Sequence, residues 1–381
     1  MTPECLTPDS PGNNQLLYFT SPSLTADGRT LVMISDRTGH PNLVSRDLAT
    51  GAERLLTDNQ QGWLHSYVYF DGRVNEGFGR ASVSLDATRG RLYFLQGREI
   101  RRIDLAGETR SLASLPEDQV SAFTHVSADG KRLCVPTTDA RALAGPLKEG
   151  RPIHDIDARV QAEGLRSWLR IYDTESGELI ACPEVPRAWI THVQFSPIDA
   201  NLVLYNHEWP GDCGIRRMWL WDGRTHHRLR DEAKGRSRRD WTCHEMWADG
   251  GESVIYHGAY ADGGAAYLGR WRRDGSLSEV HIPEGWHRYG HFTAAQDGTL
   301  LVSDGYYEEA GDPKEGGGAW ISLQRVDWKA RTLEWTPLCR HGSSWKGQDN
   351  HPHPVFDPSF RWVYFTSDAG GKRGVWRVAV P

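Results

Sequence analysis

Seven times along this chain a short run of apolar or β-branched residues stops at a turn rich in Asp, Gly, Pro or Ser, and a second such run follows at once. The units are Ser21 to Ile34, Ala81 to Leu95 around Asp86, His125 to Val135 around Asp129-Gly130, and Val193 to Tyr205 around Asp199. Three more are His244 to Tyr256 around Asp249-Gly250, His291 to Val302 around Asp297-Gly298, and His353 to Phe365 around Asp357-Pro358. Runs of this kind, bounded by turn formers, predict strands joined as hairpins. Most units continue into a second strand pair, as in Leu43 to Gly51, Ile100 to Gly107, Leu169 to Gly177 and Met218 to Gly223. Two successive hairpins fold as a four-stranded antiparallel sheet, and a repeat of about 40 to 55 residues built this way predicts a propeller blade.

The expected architecture is all-β: one seven-bladed β-propeller domain over residues 1–381, with a partly helical insertion at about 137–168. Asp155 to Gly164 is the most helix-like part of that insertion, and residues 305–318, rich in glycine and acids, read as a loop. The last unit lacks a full set of strands after Val375 to Val378, so an N-terminal segment such as Leu16 to Thr20 is expected to complete it. A two-domain β-sandwich chain is the alternative arrangement.

Composition agrees with the pattern. Sixteen tryptophans and 40 glycines against 4 methionines suit strands and turns better than helices. A net charge of −6 gives no electrostatic footprint for nucleic acid, and the basic run Arg224 to Arg239 is interrupted by Asp231 and Glu232. No apolar stretch is long enough to span a membrane. The N-terminus lacks the basic start and apolar run of a signal peptide. The six cysteines are scattered without a CxxC pair, which fits reduced thiols and a cytoplasmic location.

Histidines recur at one point of the repeat. His125, His192, His244, His291 and His353 stand four to seven residues ahead of the marker aspartate. The first strand of each blade lies nearest a propeller's central channel, so these imidazoles are expected to face a common funnel. In Gln348-Asp349-Asn350-His351-Pro352-His353-Pro354 the two histidines are two apart, and each precedes a proline that disfavours helix. In an extended strand they share a face. His291, His351 and His353, with the amide oxygen of Gln348, could then hold one divalent ion and leave positions open. Nitrogen with neutral oxygen and no thiolate suits manganese, iron, cobalt, nickel or zinc, and open coordination suits Lewis-acid catalysis. The plainer alternative is a turn whose histidines face solvent. His207, Glu208 and Arg217 lie in the repeat before that of His244; Glu208, and Glu245 beside His244, could equally satisfy loop amides, and Arg217 could form a surface ion pair.

Taken together, Gln348-x-x-His351-Pro-His353-Pro, Phe365-Thr-Ser-Asp368, Thr242-x-His244-Glu-x-Trp247, His207-Glu-x-Pro210 and Arg217-Met-Trp-Leu220 resemble the oligogalacturonate lyases, polysaccharide lyase family 22. The resemblance is strongest from about Trp189 to the C-terminus. It implies a cytoplasmic, manganese-dependent enzyme of pectin degradation that acts on short uronate oligosaccharides. By the same likeness the metal ligands are His291, Gln348, His351 and His353, the catalytic base is His244 and Arg217 is an active-site partner; His192 and His207 are the candidate substrate contacts. Trp209 and the paired Arg216-Arg217 depart from the family pattern and bear on which sugar is preferred. The implied reaction is β-elimination from a 4-linked uronate, with a neutral histidine as base near pH 7. Two other readings fit the same residues: a lyase or isomerase on another uronate-containing glycan, and a non-catalytic TolB-like binding propeller. A homodimer is compatible with either.

Overall fold

In a computed structural model the chain is described except for residues 63, 66–77, 122, 144–146, 149–150, 153–155, 209–216, 231–240, 261–264, 284–285, 289, 296 and 308–318. Side chains are further left undescribed at 65, 78, 147–148, 151–152, 157–158, 241, 286–288, 306–307 and 348.

The repeated aspartates build the reversals. Asp27, Asp129 and Asp297 each accept the backbone N–H two residues on, from Arg29 at 3.0 Å, Lys131 at 3.1 Å and Thr299 at 3.0 Å. The residue between is glycine because the turn requires positive φ; Gly130 lies at 67°. A Cβ there would also fall 2.2 Å from Asp86 Oδ2. The second hairpins use Asp47, Asp173, Asp222 and Asp327, which accept the N–H three residues on at 2.7 to 2.8 Å.

Among the described residues the chain forms seven sheets of four or more strands, antiparallel except where Leu64–His65 pairs with Phe78–Asp86, the all-β, seven-bladed β-propeller expected from the repeat. The chain divides into two compact units, residues 1–58 with 242–381, and residues 59–241. The first unit holds four of the sheets. One runs Asn14–Leu16, Thr30–Ser35, Asn42–Asp47, Glu53–Leu55, and the next Trp241–Ala248, Ser253–Ala259, Ala266–Arg272, Leu277–His281. A third runs Phe292–Ala294, Leu300–Ser303, Trp320–Asp327, Thr332–Arg340. The last is Val355–Phe356, Trp362–Ser367, Gly374–Ala379 with Glu4–Cys5 at its edge. Val302, Ile321, Leu323, Val363, Phe365 and Val378 pack these last two sheets into one apolar cluster.

The strand that completes the last sheet is therefore Glu4–Cys5, paired with Arg377 and Trp376, and not Leu16 to Thr20. Asn14–Leu16 already pairs with Met33 to Ser35 of its own sheet. That inner strand is interrupted: pairing resumes only at a Leu24–Leu31 bridge, and Leu17 to Phe19 lie buried in between.

The second unit holds the remaining three sheets. One of them receives the insertion. Its flanking strands, Arg132–Asp139 and Arg166–Asp173, pair through Thr138↔Ser167, so the insertion is residues 140–165, shorter at both ends than 137–168. The helix is Ile156–Glu163, where Ile156 and Val160 pack on Ala142, Leu165 and Trp189. Of the expected 305–318 loop, residues 308–318 lie outside the described residues, and Tyr306–Tyr307 pairs with Trp286–Arg288. Among the described residues no helix is long and apolar enough to cross a membrane.

Candidate active site

In the first unit, ligand atoms of His291, His351 and His353 all lie within 4.8 Å of one another. Two donors about 2.1 Å from one ion can be at most about 4.2 Å apart, so a small contraction would bring all three onto one centre. The rings of His291 and His353 meet edge to face with centroids 3.9 Å apart, and His351 lies 5.2 Å from His291. His353 and His291 are buried at 1% and 5% exposure. The donor set therefore fits a borderline divalent ion. The backbone of Gln348 lies in the 3-10 turn Gln348–Asn350, and its side chain is outside the described residues.

Strand alternation is not what brings His351 and His353 together. The strand begins only at Val355, and His353 lies at φ 48°, against the usual preference before proline. A non-glycine residue there costs about 1–3 kcal/mol and persists only where its surroundings hold it. Here the His353 N–H donates to Asp304 Oδ2 at 3.2 Å, and the Thr366 N–H donates to Pro352 O at 2.9 Å.

Asp304 is the first of the residues that sequence reading missed. It is 1% exposed, accepts the His291 N–H at 2.6 Å and lies 3.0 Å from His291 Nδ1. Burial pushes its carboxyl up, while His351, His341 and the two backbone N–H groups work the other way. Tyr18 and Phe19, from the interrupted inner strand of the first sheet, wall the centre. Phe19 lies 5.3 to 5.6 Å from the rings of His291, His353 and His244, and Tyr18 lies 4.9 Å from His353. Trp345, at φ 56°, stands 4.4 Å from His351 and donates its indole N–H to His341 Nε2 at 3.2 Å.

His244 adjoins this centre, its ring 4.5 Å from that of His291. It too has positive φ, 49°, within the strand Trp241–Ala248. Its Nδ1 lies 3.0 Å from His257 Nε2 and 3.2 Å from the carbonyl oxygen of Gly290. A carbonyl only accepts, so the network assigns the proton to Nδ1, with His257 Nε2 as acceptor. The lone pair of a neutral His244 then sits on Nε2.

In the second unit a different cluster forms around Glu208, which is 2% exposed. Its Oε2 accepts from Arg217 Nη1 at 3.1 Å and from Thr191 and Asn206 at 2.5 Å each. Asn206 Oδ1 takes the N–H groups of Thr191 and His192, so its Nδ2 faces His192 Nδ1 as a donor, at 2.9 Å. Arg217 Nη2 reaches the same nitrogen at 3.3 Å. Burial works against the charge of Glu208, but Arg217 and the Thr191 hydroxyl outweigh it and hold the carboxyl well below its ordinary range. His192 and Arg217 are thus brought together. His207 stands apart, stacked on Trp219 at 4.9 Å and 18°, its imidazole pushed down by burial with help from His226. His125, grouped with the funnel histidines, accepts the Phe195 N–H at 3.1 Å. Trp209 and Arg216 lie outside the described residues.

One signal could have found several of these partners. In the hairpin that pairs Phe292 with Ser303 the next pair outward is His291 with Asp304; where Val193 pairs with Tyr205 it is His192 with Asn206. A polar residue placed symmetrically across the turn from a recurring histidine marks its partner.

Fold and site together define a class: a seven-bladed β-propeller that carries convergent imidazoles in one of its units. A family model described as oligogalacturonate lyase matches residues 64–381, and the chain belongs to that family of enzymes. It is 26% identical to the oligogalacturonide lyase of Pectobacterium atrosepticum and 26% identical to the oligogalacturonate lyase of Dickeya dadantii. Each match covers 76% of this chain and 74% of the relative. The fold is that of an oligogalacturonate lyase solved in complex with manganese, with a TM-score of 0.77 at 22% identity, covering 100% of this chain and 96% of that one. Family membership sets aside the non-catalytic binding propeller.

Proposed function

We propose that the chain cleaves short 4-linked uronate oligosaccharides, digalacturonate among them, by β-elimination. The observation that carries this reading is the packing of His244 against His291, one of three imidazoles whose donor atoms lie within 4.8 Å of one another. His291, His351 and His353, with Gln348, would hold the ion, manganese by the likeness to the manganese-bound lyase. When bound, such an ion supplies a Lewis acid that offsets the charge of the uronate carboxylate and so acidifies the neighbouring C5–H. His244 Nε2 takes the C5 proton, the C4–C5 double bond forms, the C4–O bond breaks, and the departing oxygen is protonated from water. Hydrogen bonding of Nδ1 to Gly290 and His257 keeps the imidazole in the basic tautomer and in one orientation. Phe19 and Tyr18 exclude water from one side of the imidazoles. Arg217 is the active-site partner that the family likeness implies, and His192 and His207 are the candidate substrate contacts. The five described cysteines are free thiols, which supports a cytoplasmic site of action.

The test is product analysis on digalacturonate and other uronate oligosaccharides, by absorbance of the conjugated 4,5-unsaturated uronate and by chromatography, before and after chelation. The expected result is a chelator-sensitive unsaturated product. A rearranged but uncleaved sugar would replace the lyase with an isomerase, and absence of turnover on every uronate would overturn the reading.

A further inference from the structure

Three neutral imidazoles and an amide oxygen bring no negative charge to a divalent ion, yet a carboxylate lies directly behind them. Resting on the metal-centre reading above, we infer that Asp304 is a positioning residue for that centre: it sets the tautomer of His291, holds the strained backbone of His353 and supplies charge from outside the ligand set.

The geometry is specific. Both oxygens of Asp304 are used, Oδ1 by the His291 N–H at 2.6 Å, and Oδ2 by His291 Nδ1 at 3.0 Å and the His353 N–H at 3.2 Å. Both oxygens accept backbone N–H groups, and when the carboxyl carries its charge it can only accept from the ring as well, so Nδ1 of His291 then holds the proton and Nε2 the lone pair. The same oxygen that fixes the ring of one ligand takes the backbone N–H of another, which has φ 48°. One acid therefore couples two ligands from neighbouring repeats, 13 and 49 residues away. Gly290 leaves room for it: a Cβ at that position would fall 2.0 Å from Asp304 Oδ1. A fully buried anion is costly unless its field is used, and a cation held by the imidazoles would use it. Acids that hold the far nitrogen of a ligating histidine raise the ligand's basicity, and their loss typically costs about 10–100-fold in metal affinity.

The decisive variant is Asp304→Asn, which keeps the shape and removes the charge. Its oxygen can serve only one side. Its NH2 then faces either the His291 backbone N–H, or His291 Nδ1–H together with the His353 N–H, donor against donor, and in the second orientation the relief at the ring is a proton shifted to Nε2. Mn2+ binding to the full chain would be measured by competition with a chelator, and the protonated nitrogen of His291 by imidazole 15N shifts in the metal-free protein. The expected result is affinity about 10–100-fold weaker and a His291 protonated on Nε2. Wild-type affinity with an unchanged tautomer would overturn the inference. Should that variant fail to fold, Gly290→Ala displaces the carboxylate without removing it and is expected to weaken Mn2+ binding to a smaller extent; unaltered binding there counts equally against Asp304. If the wild-type chain itself takes up no Mn2+, the metal reading fails, and the 15N tautomer alone decides whether Asp304 governs His291.

Discussion

In the first unit His291, His351 and His353 turn donor nitrogens toward one another, with the single carboxylate of Asp304 behind them. In the second unit Glu208 and Arg217 form a buried ion pair, with Thr191, Asn206 and His192 around it. Both clusters are buried, His351 being half-buried, and both use strand ends of the same hairpin type. They differ in charge. The second is balanced within the protein, carboxylate against guanidinium. The first gathers neutral bases around a space and places an anion at its back, an arrangement that a cation completes. Hydrogen bonds alone do not distinguish a structural polar cluster from a metal centre; where the compensating charge comes from does.

The largest effect that would sharpen this contrast is in turnover. His244→Ala should lower the rate of uronate cleavage by about 10²–10⁴-fold while leaving Mn2+ uptake unchanged, measured on one sample by product formation and metal content. Near-normal turnover would remove His244 from the role of base. In the second unit, Glu208→Ala strands the Arg217 charge and should cost about 3–5 kcal/mol of stability by denaturant unfolding. Neutralising both partners, Glu208→Gln with Arg217→Met, should recover most of that stability. Activity that returns with it would make Arg217 structural alone; activity that stays lost supports contact with substrate.

Acid should load an imidazole in each unit, His341 in the first and His207 in the second, both pushed down to about 4 by burial. His341 is 2% exposed. Between about 6.5 and 4 the unfolded chain binds the extra proton, so stability falls as pH falls through that window, on the order of 3 kcal/mol from this group. Glu208 has a depressed carboxyl, so its contribution is present above its ordinary value of 4.5 and is lost only as pH falls below it. Unfolding followed against pH should therefore show a loss beginning near 6.5 that His341→Gln reduces. The smallest effect is at Phe19, whose contacts with three imidazoles are worth about 1 kcal/mol. Phe19→Leu should cost about that much in thermal unfolding and leave metal stoichiometry intact.

The blades were legible in the sequence because their cause is local. An aspartate that binds the amide two or three residues on, beside a glycine at positive φ, leaves a signature within one turn. The ligand histidines were legible as well, although their convergence comes from strain at His353 held by Asp304, not from strand alternation. That cause lies 49 residues away and leaves no local trace. Phe19 and Tyr18 reach the centre from the opposite end of the chain, through a break in an inner strand that looks continuous in the hydrophobic pattern. Glu4–Cys5 completes its sheet with two residues, too short and too polar to announce a strand.

The central claim is that the imidazoles of the first unit form a metal centre distinct from the base beside it. Equilibrium dialysis of Mn2+ against wild type, His353→Ala and His244→Ala tests it most directly. The account predicts one ion per chain in the wild type and in His244→Ala, and loss of that ion in His353→Ala. Absence of a stoichiometric ion in the wild type, or full retention in His353→Ala, would contradict it.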